Sequence, residues 1–352
     1  MFPILGFVLG QRSASPPWDS ITPVREELFS VERLELHART LAGAQSVTSR
    51  PPVVLALQAR LDANAAVLLA AYRASAKERE NDRNVVPAAE WLLDNYHLVE
   101  EQIREIREDL PPSYYRQLPK LAEGPFAGYP RVFGLAWAFV AHTDSHFDPE
   151  ILRRFIVAYQ RVQPLTIGEL WAVAITLRIV LIENLRRLAD QISAGRKTRA
   201  GADALADRIL ITGNMPDSAI TQISSAPLPE LFAAQLAKRL RDRDPATTPT
   251  FGWLKDQLSV QHVSIDDVVQ RAQRRQGASN VTVRNVITSM RLISDIDWAE
   301  FFETVSLVDE KLCSASKFAA MDFPTRDLYR SAIEELARGS HFSELELVEE
   351  TV

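Results

Sequence analysis

Residues 164–185 form the most apolar long segment of the chain and read PLTIGELWAVAITLRIVLIENL. Thr166 and Glu169 have the spacing of a capping box, in which the hydroxyl accepts from the Glu169 N–H and the carboxylate reaches back. Apolar residues then cover nearly the whole circumference of the predicted helix, which indicates burial on most sides. Arg178 and Glu183 interrupt the run, whereas a membrane span needs roughly 20 apolar residues without charge. The stretch therefore predicts the central helix of a soluble core.

Composition narrows the class of protein. The 352 residues are enough for one large or two ordinary domains, and the formal net charge of −6 argues against a nucleic-acid partner. Cys313 is the single cysteine, so a disulfide framework is excluded and a reducing compartment is favoured. The apolar segment 1–10 lacks a basic n-region and is too short to span a bilayer. We therefore expect a cytoplasmic protein with no membrane span of its own.

Helical periodicity recurs along the chain, and no pair of β-branched runs flanks a hairpin turn. The prediction is an all-α array of about ten to twelve helices around the buried helix at about residues 166–190. The pattern weakens after residue 194, where a basic cluster, Arg196, Lys197 and Arg199, begins a candidate boundary. The predicted parts are an irregular start at residues 1–24, a first helical half at 25–195, a linker with a short helix at 196–228, a second helical half at 229–340 and a tail at 341–352. The alternative is one continuous helical domain.

Polar groups inside the buried helix are expected to make core contacts. Glu183 and Arg187 are four residues apart, in the orientation that favours an ion pair on a helix. Glu169 and Arg178 also need hydrogen-bonding partners if they are buried beside Trp171. We interpret these residues as structural.

Two other groups of polar residues have the side chains of catalytic or metal sites. His142 and His146 could share a helix face and bind a metal, but Asp144 and Asp148-Pro149 predict that the helix ends near His142. A run of glutamates on one predicted helix interleaves with arginines, which is typical of a solvated face. Its members are Glu100, Glu101, Glu105 and Glu108.

Two D-x-D tripeptides match the short pattern of metal-dependent glycosyltransferases. They are Asp242-Arg243-Asp244 and Asp295-Ile296-Asp297. That chemistry places the pair at a strand end beside a nucleotide pocket, and neither tripeptide follows a plausible strand. We therefore predict no metal site, no cofactor site and no catalytic residue in this chain.

Aromatic side chains supply another possible site. Tyr114, Tyr115, Tyr129 and Trp137 could stack on sugar rings if they were exposed, although packing in the core is the favoured interpretation.

Several ordered stretches of the sequence resemble the N-terminal region of bacterial cyclic β-1,2-glucan synthases, over about residues 18–345. The stretches are AEWLLDNYH at 89–97, YRQLPKL at 115–121, GYPRVFGLAW at 128–137, RVQPLTIGELWA at 161–172, NVTVRNVITSMR at 280–291, MDF at 321–323 and YR at 329–330.

The resemblance implies much about the larger family proteins and less about this chain. Those proteins are large inner-membrane enzymes that polymerise glucose from UDP-glucose, cyclise the product and trim it with a phosphorylase-like region. Their transmembrane helices, their transferase motifs and the site for UDP-glucose and a divalent metal follow the region matched here. No catalytic residue of the family can be transferred to this chain.

The sequence thus predicts a free N-terminal portion of such a synthase, from a truncated or split gene. The leading hypothesis is a non-catalytic, cytoplasmic helical domain that docks on or scaffolds the rest of a synthase or a membrane-embedded partner, at the inner face of the inner membrane. Self-association is another possible use of an exposed apolar patch, for which residues 336–352 are the favoured place. Two alternatives stay open: an autonomous carbohydrate-active enzyme and a glucan-binding module without catalysis.

Overall fold

The computed structural model describes residues 20–81, 85–212, 228–241 and 248–351. Helices α1 to α8 span Val31–Ala44, Leu57–Glu80, Pro87–Asp94, Tyr96–Asp109, Pro112–Gln117, Arg131–His142, Pro149–Gln160 and Ile167–Thr212. Helices α9 to α15 span Glu230–Arg241, Thr248–Val260, Ile265–Asp295, Trp298–Val305, Leu307–Ala315, Phe323–Gly339 and Glu344–Thr351. A short 3₁₀-helix spans Phe318–Ala320, and two-residue strands β1, Val47–Thr48, and β2, Lys120–Leu121, pair antiparallel.

The all-α prediction is confirmed, and the described ranges hold fifteen α-helices where about ten to twelve were expected. Asn95, with φ −119° and ψ 18°, separates two helices that periodicity alone joins into one. Ser306 likewise ends α12, and its hydroxyl then accepts from the Asp309 N–H at 3.1 Å to start α13. At both positions a polar residue with non-helical backbone angles ends one helix and begins the next.

Capping side chains mark the starts of two helices by their hydrogen bonds. The Asp148 carboxylate accepts from the N–H groups of Glu150 and Ile151 at 2.9 and 3.0 Å, with Pro149 at the first helical position. The hydroxyl of Ser264, just before α11, accepts from the Asp267 N–H at 3.1 Å.

Helix α8 extends beyond the predicted end near residue 190 and continues through the basic cluster to Thr212. From 167 to 189 every residue except Trp171 is buried. Beyond that segment lie many strong helix formers and no proline, so nothing in the sequence stops the helix. Arg196 lies 3.5 Å from the Glu78 carboxylate. The sequence Gly213-Asn214-Met215-Pro216 predicts a turn, but these residues lie outside the described ranges.

The chain divides into two compact units that are not consecutive in sequence. Unit 1 contains residues 20–68, 94–187 and 285–351 of the described part, and unit 2 contains 69–81, 85–93, 188–212, 228–241 and 248–284. The predicted division into two consecutive halves remains a prediction.

The core of unit 2 consists of small and aliphatic side chains. Alanine and leucine from α8 and α9 pack with Leu254, Leu258 and Val268 of the two helices that follow. The short alanines let these helices approach closely, and their high helix propensity suits the same positions.

Unit 1 buries several charged side chains in pairs. Glu183 is fully buried and accepts hydrogen bonds from Arg60, Arg186 and Arg187, with N–O distances of 2.7–2.9 Å. The predicted Glu183–Arg187 pair is thus confirmed as part of a larger cluster. Burial opposes ionisation of Glu183, but the hydrogen bonds from Arg60 and Arg187 outweigh it and lower its pKa to about 2.

Candidate functional site

A pocket with a volume of about 390 Å³ lies in unit 1 beside the start of α8. Its volume is within the range of small-ligand sites, about 300–1,000 Å³. Five helices contribute to its lining, which combines aromatic rings with charged groups. We call it the Trp171 pocket, and its main residues are Asp109, Tyr114, Trp171, Arg178, Trp298 and Glu334.

Each aromatic ring of the Trp171 pocket is held by a stacking contact or a hydrogen bond within the protein. Trp171 stacks on Phe302 with ring centroids 4.5 Å apart and planes 10° apart. The Trp298 indole N–H donates to a backbone carbonyl oxygen at 2.8 Å. The Tyr114 hydroxyl donates to the Gly168 carbonyl oxygen at 2.6 Å, and burial raises the pKa of this tyrosine. The rings therefore have little rotational freedom.

The charged groups of the Trp171 pocket are also paired. Arg178 is 8% exposed, and its Nη2 lies 3.2 Å from the Glu105 carboxylate while its Nη1 lies 3.8 Å from Asp109. Glu334 lies 3.6 Å from the Arg338 guanidinium. Two carboxylates and one arginine thus line the pocket, which gives it no excess of positive charge.

Gly168 keeps two walls of the pocket close together. A β-carbon at this position would lie 3.1 Å from the Glu334 Oε1 atom and 3.7 Å from the Tyr114 ring. The first distance is shorter than an ordinary van der Waals contact, so a side chain at residue 168 would displace Glu334.

Carboxylates also cluster at the N-terminus of α8, where unpaired N–H groups favour negative charge. The predicted capping box is confirmed, because Glu169 N–H donates to the Thr166 hydroxyl at 3.2 Å and Thr166 N–H donates to the Glu169 carboxylate at 3.0 Å. Arg131, itself buried, donates from Nε to Glu169 at 2.8 Å. Glu344 comes from helix α15, which is distant in sequence, and its carboxylate accepts from the Ile167 N–H at 2.8 Å.

Ionisation of Glu344 is disfavoured in the folded protein. Burial, followed by the negative charges of Glu334 and Glu169, raises its pKa to about 7 despite the hydrogen bond from Ile167. Arg338 acts in the opposite direction. The folded protein therefore binds a proton here between about pH 4.5 and 7, where the unfolded chain does not.

Replacement of Glu344 by glutamine should stabilise the protein at pH 8 by about 2–3 kcal/mol and have little effect at pH 4.5. The raised pKa means that native stability falls as pH rises from 4.5 to 7, and the neutral amide removes that fall while its oxygen still accepts from Ile167. Urea denaturation at both pH values measures this difference. Glu346→Gln, on the same helix, is the control, because Glu346 is exposed and its pKa is lowered by hydrogen bonds from Ser343. An equal gain for Glu344→Gln at both pH values would contradict the assignment.

Of the four aromatic residues singled out in the sequence, Tyr114 alone lines the Trp171 pocket. The Tyr115 ring is half-buried, with the Lys120 ammonium 3.7 Å from its centroid. Tyr129 is 4% exposed and packs near Phe133. The contacts of Trp137 are made with neighbouring aromatic rings and the Arg187 guanidinium. The pocket's other rings, Trp171 and Trp298, were not singled out as sugar contacts, because nothing local in the sequence places them together.

The histidine pair occupies two different environments. Helix α6 ends at His142, and Asp144 and Ser145 both have positive φ, so His146 does not continue the same helix face. The His142 ring is buried, stacks 3.9 Å from Phe29 and has its Nδ1 atom 2.8 Å from a backbone oxygen. Within the described ranges, no group of three or more histidine, cysteine or acidic side chains could hold a metal ion.

The remaining motifs occupy helix ends and surfaces. Asp297 caps α12 by accepting from the N–H groups of Ala299 and Glu300, and Asp295 is the last residue of the preceding helix. Asp242-Arg243-Asp244 lies outside the described residues. In the glutamate run, Glu101 forms an exposed i,i+3 pair with Arg104 at 3.5 Å.

A larger cavity, of about 600 Å³, lies within unit 2. Its described lining is aliphatic, amide and basic, and it includes Arg199 of the basic cluster together with Lys238 and Arg241. Arg241 donates to the Asp266 carboxylate at 3.1 Å. The Trp171 pocket combines aromatic faces with balanced charge and is therefore the better candidate for a ligand site.

The described part of the chain thus forms an all-α fold, and none of its helices combines the length and apolar character needed to cross a bilayer. No protein-family model matches the chain. It resembles the N-terminal-side region of the cyclic β-(1,2)-glucan synthase NdvB of Rhizobium meliloti (strain 1021), with 39% identity over 331 residues. The match covers 93% of this chain but only 12% of that synthase. The expected resemblance to a glucan synthase is therefore confirmed, and it concerns a small part of the larger protein.

Proposed function

We propose that this chain is a non-catalytic helical portion of a cyclic β-1,2-glucan synthase that docks on or scaffolds the remainder of that machinery. The observation that carries the proposal is the resemblance to 12% of a named synthase across nearly the whole of this chain. A domain of this kind would act at the cytoplasmic face of the inner membrane and would need UDP-glucose and a divalent metal only through its partner.

Exposed apolar side chains support a docking role. Leu328 and Leu336, two turns apart on α14, are 72% and 60% exposed, and Phe342 beyond the helix is 54% exposed. Large apolar groups at a surface favour a protein partner or self-association. They lie at or near the stretch for which the sequence predicted a docking patch. The partner we propose is the remainder of a glucan synthase, and self-association is the alternative.

Co-purification tests the docking proposal. A synthase lacking the homologous N-terminal portion should retain this chain on an affinity column, and the paired substitution Leu328→Glu/Leu336→Glu should abolish retention. Val53→Glu is the matched control, because Val53 is fully exposed outside α14. Retention of the paired variant at the wild-type level, or a wild-type chain that forms dimers and is not retained, would contradict the proposal.

The rival function, an autonomous carbohydrate-active enzyme, is supported by one observation. The Trp171 pocket contains two carboxylates beside tryptophan and tyrosine rings, as a glycosidase site does. However, glycoside hydrolysis needs one carboxyl group that carries a proton, and such a group is found in apolar surroundings. Asp109 and Glu334 each lie beside a guanidinium, at 3.8 and 3.6 Å, which suits binding better than acid catalysis.

Activity assays separate the two functions. The purified chain should transfer no glucose from labelled UDP-glucose with Mg²⁺, and it should release no reducing ends from linear or cyclic β-1,2-glucan. Turnover in either assay that is lost in Glu334→Gln would establish the enzyme and overturn the non-catalytic role.

A further inference from the structure

We propose that the Trp171 pocket binds a segment of an uncharged glucan chain, with sugar faces stacked on its aromatic rings and sugar hydroxyls donating to its carboxylates. The choice of a glucan rests on the proposed function, whereas the pocket itself is defined by the geometry of unit 1. Nothing in the resemblance assigns a ligand to this part of the chain.

The aromatic rings supply the stacking surface. Trp171, Trp298 and Tyr114 come from three helices and line one cavity. An aromatic ring presents a broad apolar face, and the C–H faces of a pyranose ring are removed from water when they stack on it. Tryptophan and tyrosine offer a large contact area at a low cost in side-chain entropy, because each has only two torsion angles to fix.

The polar groups match hydroxyls better than any charged ligand. Ionised carboxylates only accept hydrogen bonds, so Asp109 and Glu334 call for a ligand rich in O–H donors. The Gln117 amide, also in the lining, can both donate and accept. A phosphate or nucleotide would meet two carboxylates and one arginine that already interacts with Glu105 at 3.2 Å. An anionic ligand is therefore disfavoured.

The pocket is also formed in advance of binding. Trp171 stacks on Phe302, the edge-on ring of Phe323 lies 6.3 Å away, and the Trp298 N–H is engaged by a backbone oxygen. Gly168 leaves room for the Glu334 carboxylate beside Tyr114, since a β-carbon there would lie 3.1 Å from the Glu334 Oε1 atom. Little ordering is then required when a ligand arrives, which improves affinity.

Calorimetric titration of the full 352-residue chain with linear β-1,2-gluco-oligosaccharides tests the proposal. We expect saturable binding, with Trp171→Ala weakening it by about thirtyfold or more, as for a central aromatic contact. Glu334→Gln and Asp109→Asn should each weaken it by about tenfold through loss of a charge-assisted hydrogen bond. Glu335→Gln, next to Glu334 but outside the lining, and Trp137→Phe, in another aromatic group, should bind as the wild type does.

Thermal melts identify any variant that fails to fold, and the two carboxylate variants keep the test decisive if Trp171→Ala does. Absence of binding at millimolar oligosaccharide would overturn the proposal. If all three pocket variants bound the oligosaccharide as the wild type does, the ligand would lie elsewhere and the proposal would also be overturned. Competition by inorganic pyrophosphate would contradict the inference that the ligand is uncharged. The titration uses the chain without any partner, so its outcome is independent of the docking experiment.

Discussion

Replacement of Glu183 by alanine is expected to lower the free energy of unfolding by about 3–5 kcal/mol, the usual cost of removing one partner from a buried ion cluster. The side chain of Glu183 has no exposed surface, and those of its partners Arg60, Arg186 and Arg187 are 17%, 10% and 3% exposed. Asn64 also donates to the carboxylate, at 2.8 Å. Without this acceptor, three guanidinium groups would repel one another in a region with little water to screen them.

Urea denaturation at pH 7 measures this loss. Glu101→Ala is the matched control, because its 3.5 Å pair with Arg104 is exposed and such pairs contribute about 0–1 kcal/mol. The low pKa of Glu183 also fixes the pH dependence. Its stabilising contribution is complete above about pH 4.5 and is lost as pH falls towards 2. A cost below about 1 kcal/mol for Glu183→Ala would show that the cluster is not buried as described.

The second large effect is expected at Arg330, which has no exposed surface. Its Nε donates to Asp309 at 3.1 Å and its Nη2 donates to Glu303 at 2.8 Å. The guanidinium also lies 5.0 Å from the Phe302 ring centroid and 4.9 Å from that of Phe323. The planar guanidinium group of arginine can pair with carboxylates and stack on aromatic rings at the same time, which the ammonium group of lysine cannot do.

Arg330→Ala should therefore destabilise the protein by about 3–5 kcal/mol, and Arg330→Lys should recover less than half of that loss. Chemical denaturation monitored by circular dichroism measures both. Arg326→Lys serves as control, since Arg326 pairs with Glu303 at 3.0 Å but is 20% exposed. If Arg330→Lys had the same free energy of unfolding as the wild type, the positive charge alone would account for the contribution of residue 330. Because the Phe302 ring contacts both Arg330 and Trp171, the Arg330 variants should also weaken any binding in the Trp171 pocket.

Features encoded by neighbouring residues could be predicted from the sequence. The Thr166–Glu169 capping box, the Asp148-Pro149 start and the Glu183–Arg187 pair each involve residues within one helical turn or so. Their geometry follows from helix periodicity, and no knowledge of the tertiary structure is needed.

The candidate site could not be predicted in the same way. Trp171 and Trp298 meet only after unit 1 has folded, and Arg131 is paired with Glu169 across 38 residues. Composition also misleads here, because an arginine on an amphipathic helix is normally solvated, yet Arg330 is fully buried. Tyr129 lies in the core, as the favoured interpretation of the four aromatic residues holds. Nothing in the residues around Tyr114 indicated that it would line a pocket while Tyr129 would not.

The bond between Ile167 and Glu344 joins residues 177 positions apart and has a consequence for biosynthesis. A ribosome releases the chain from its N-terminus, so the first turn of α8 emerges long before the carboxylate that completes its cap. Unit 1, assembled from three separated segments, can reach its native packing only when the last of them has been synthesised. Until then its apolar surfaces remain available to chaperones or to premature association, a hazard that grows with sequence separation between contacting elements.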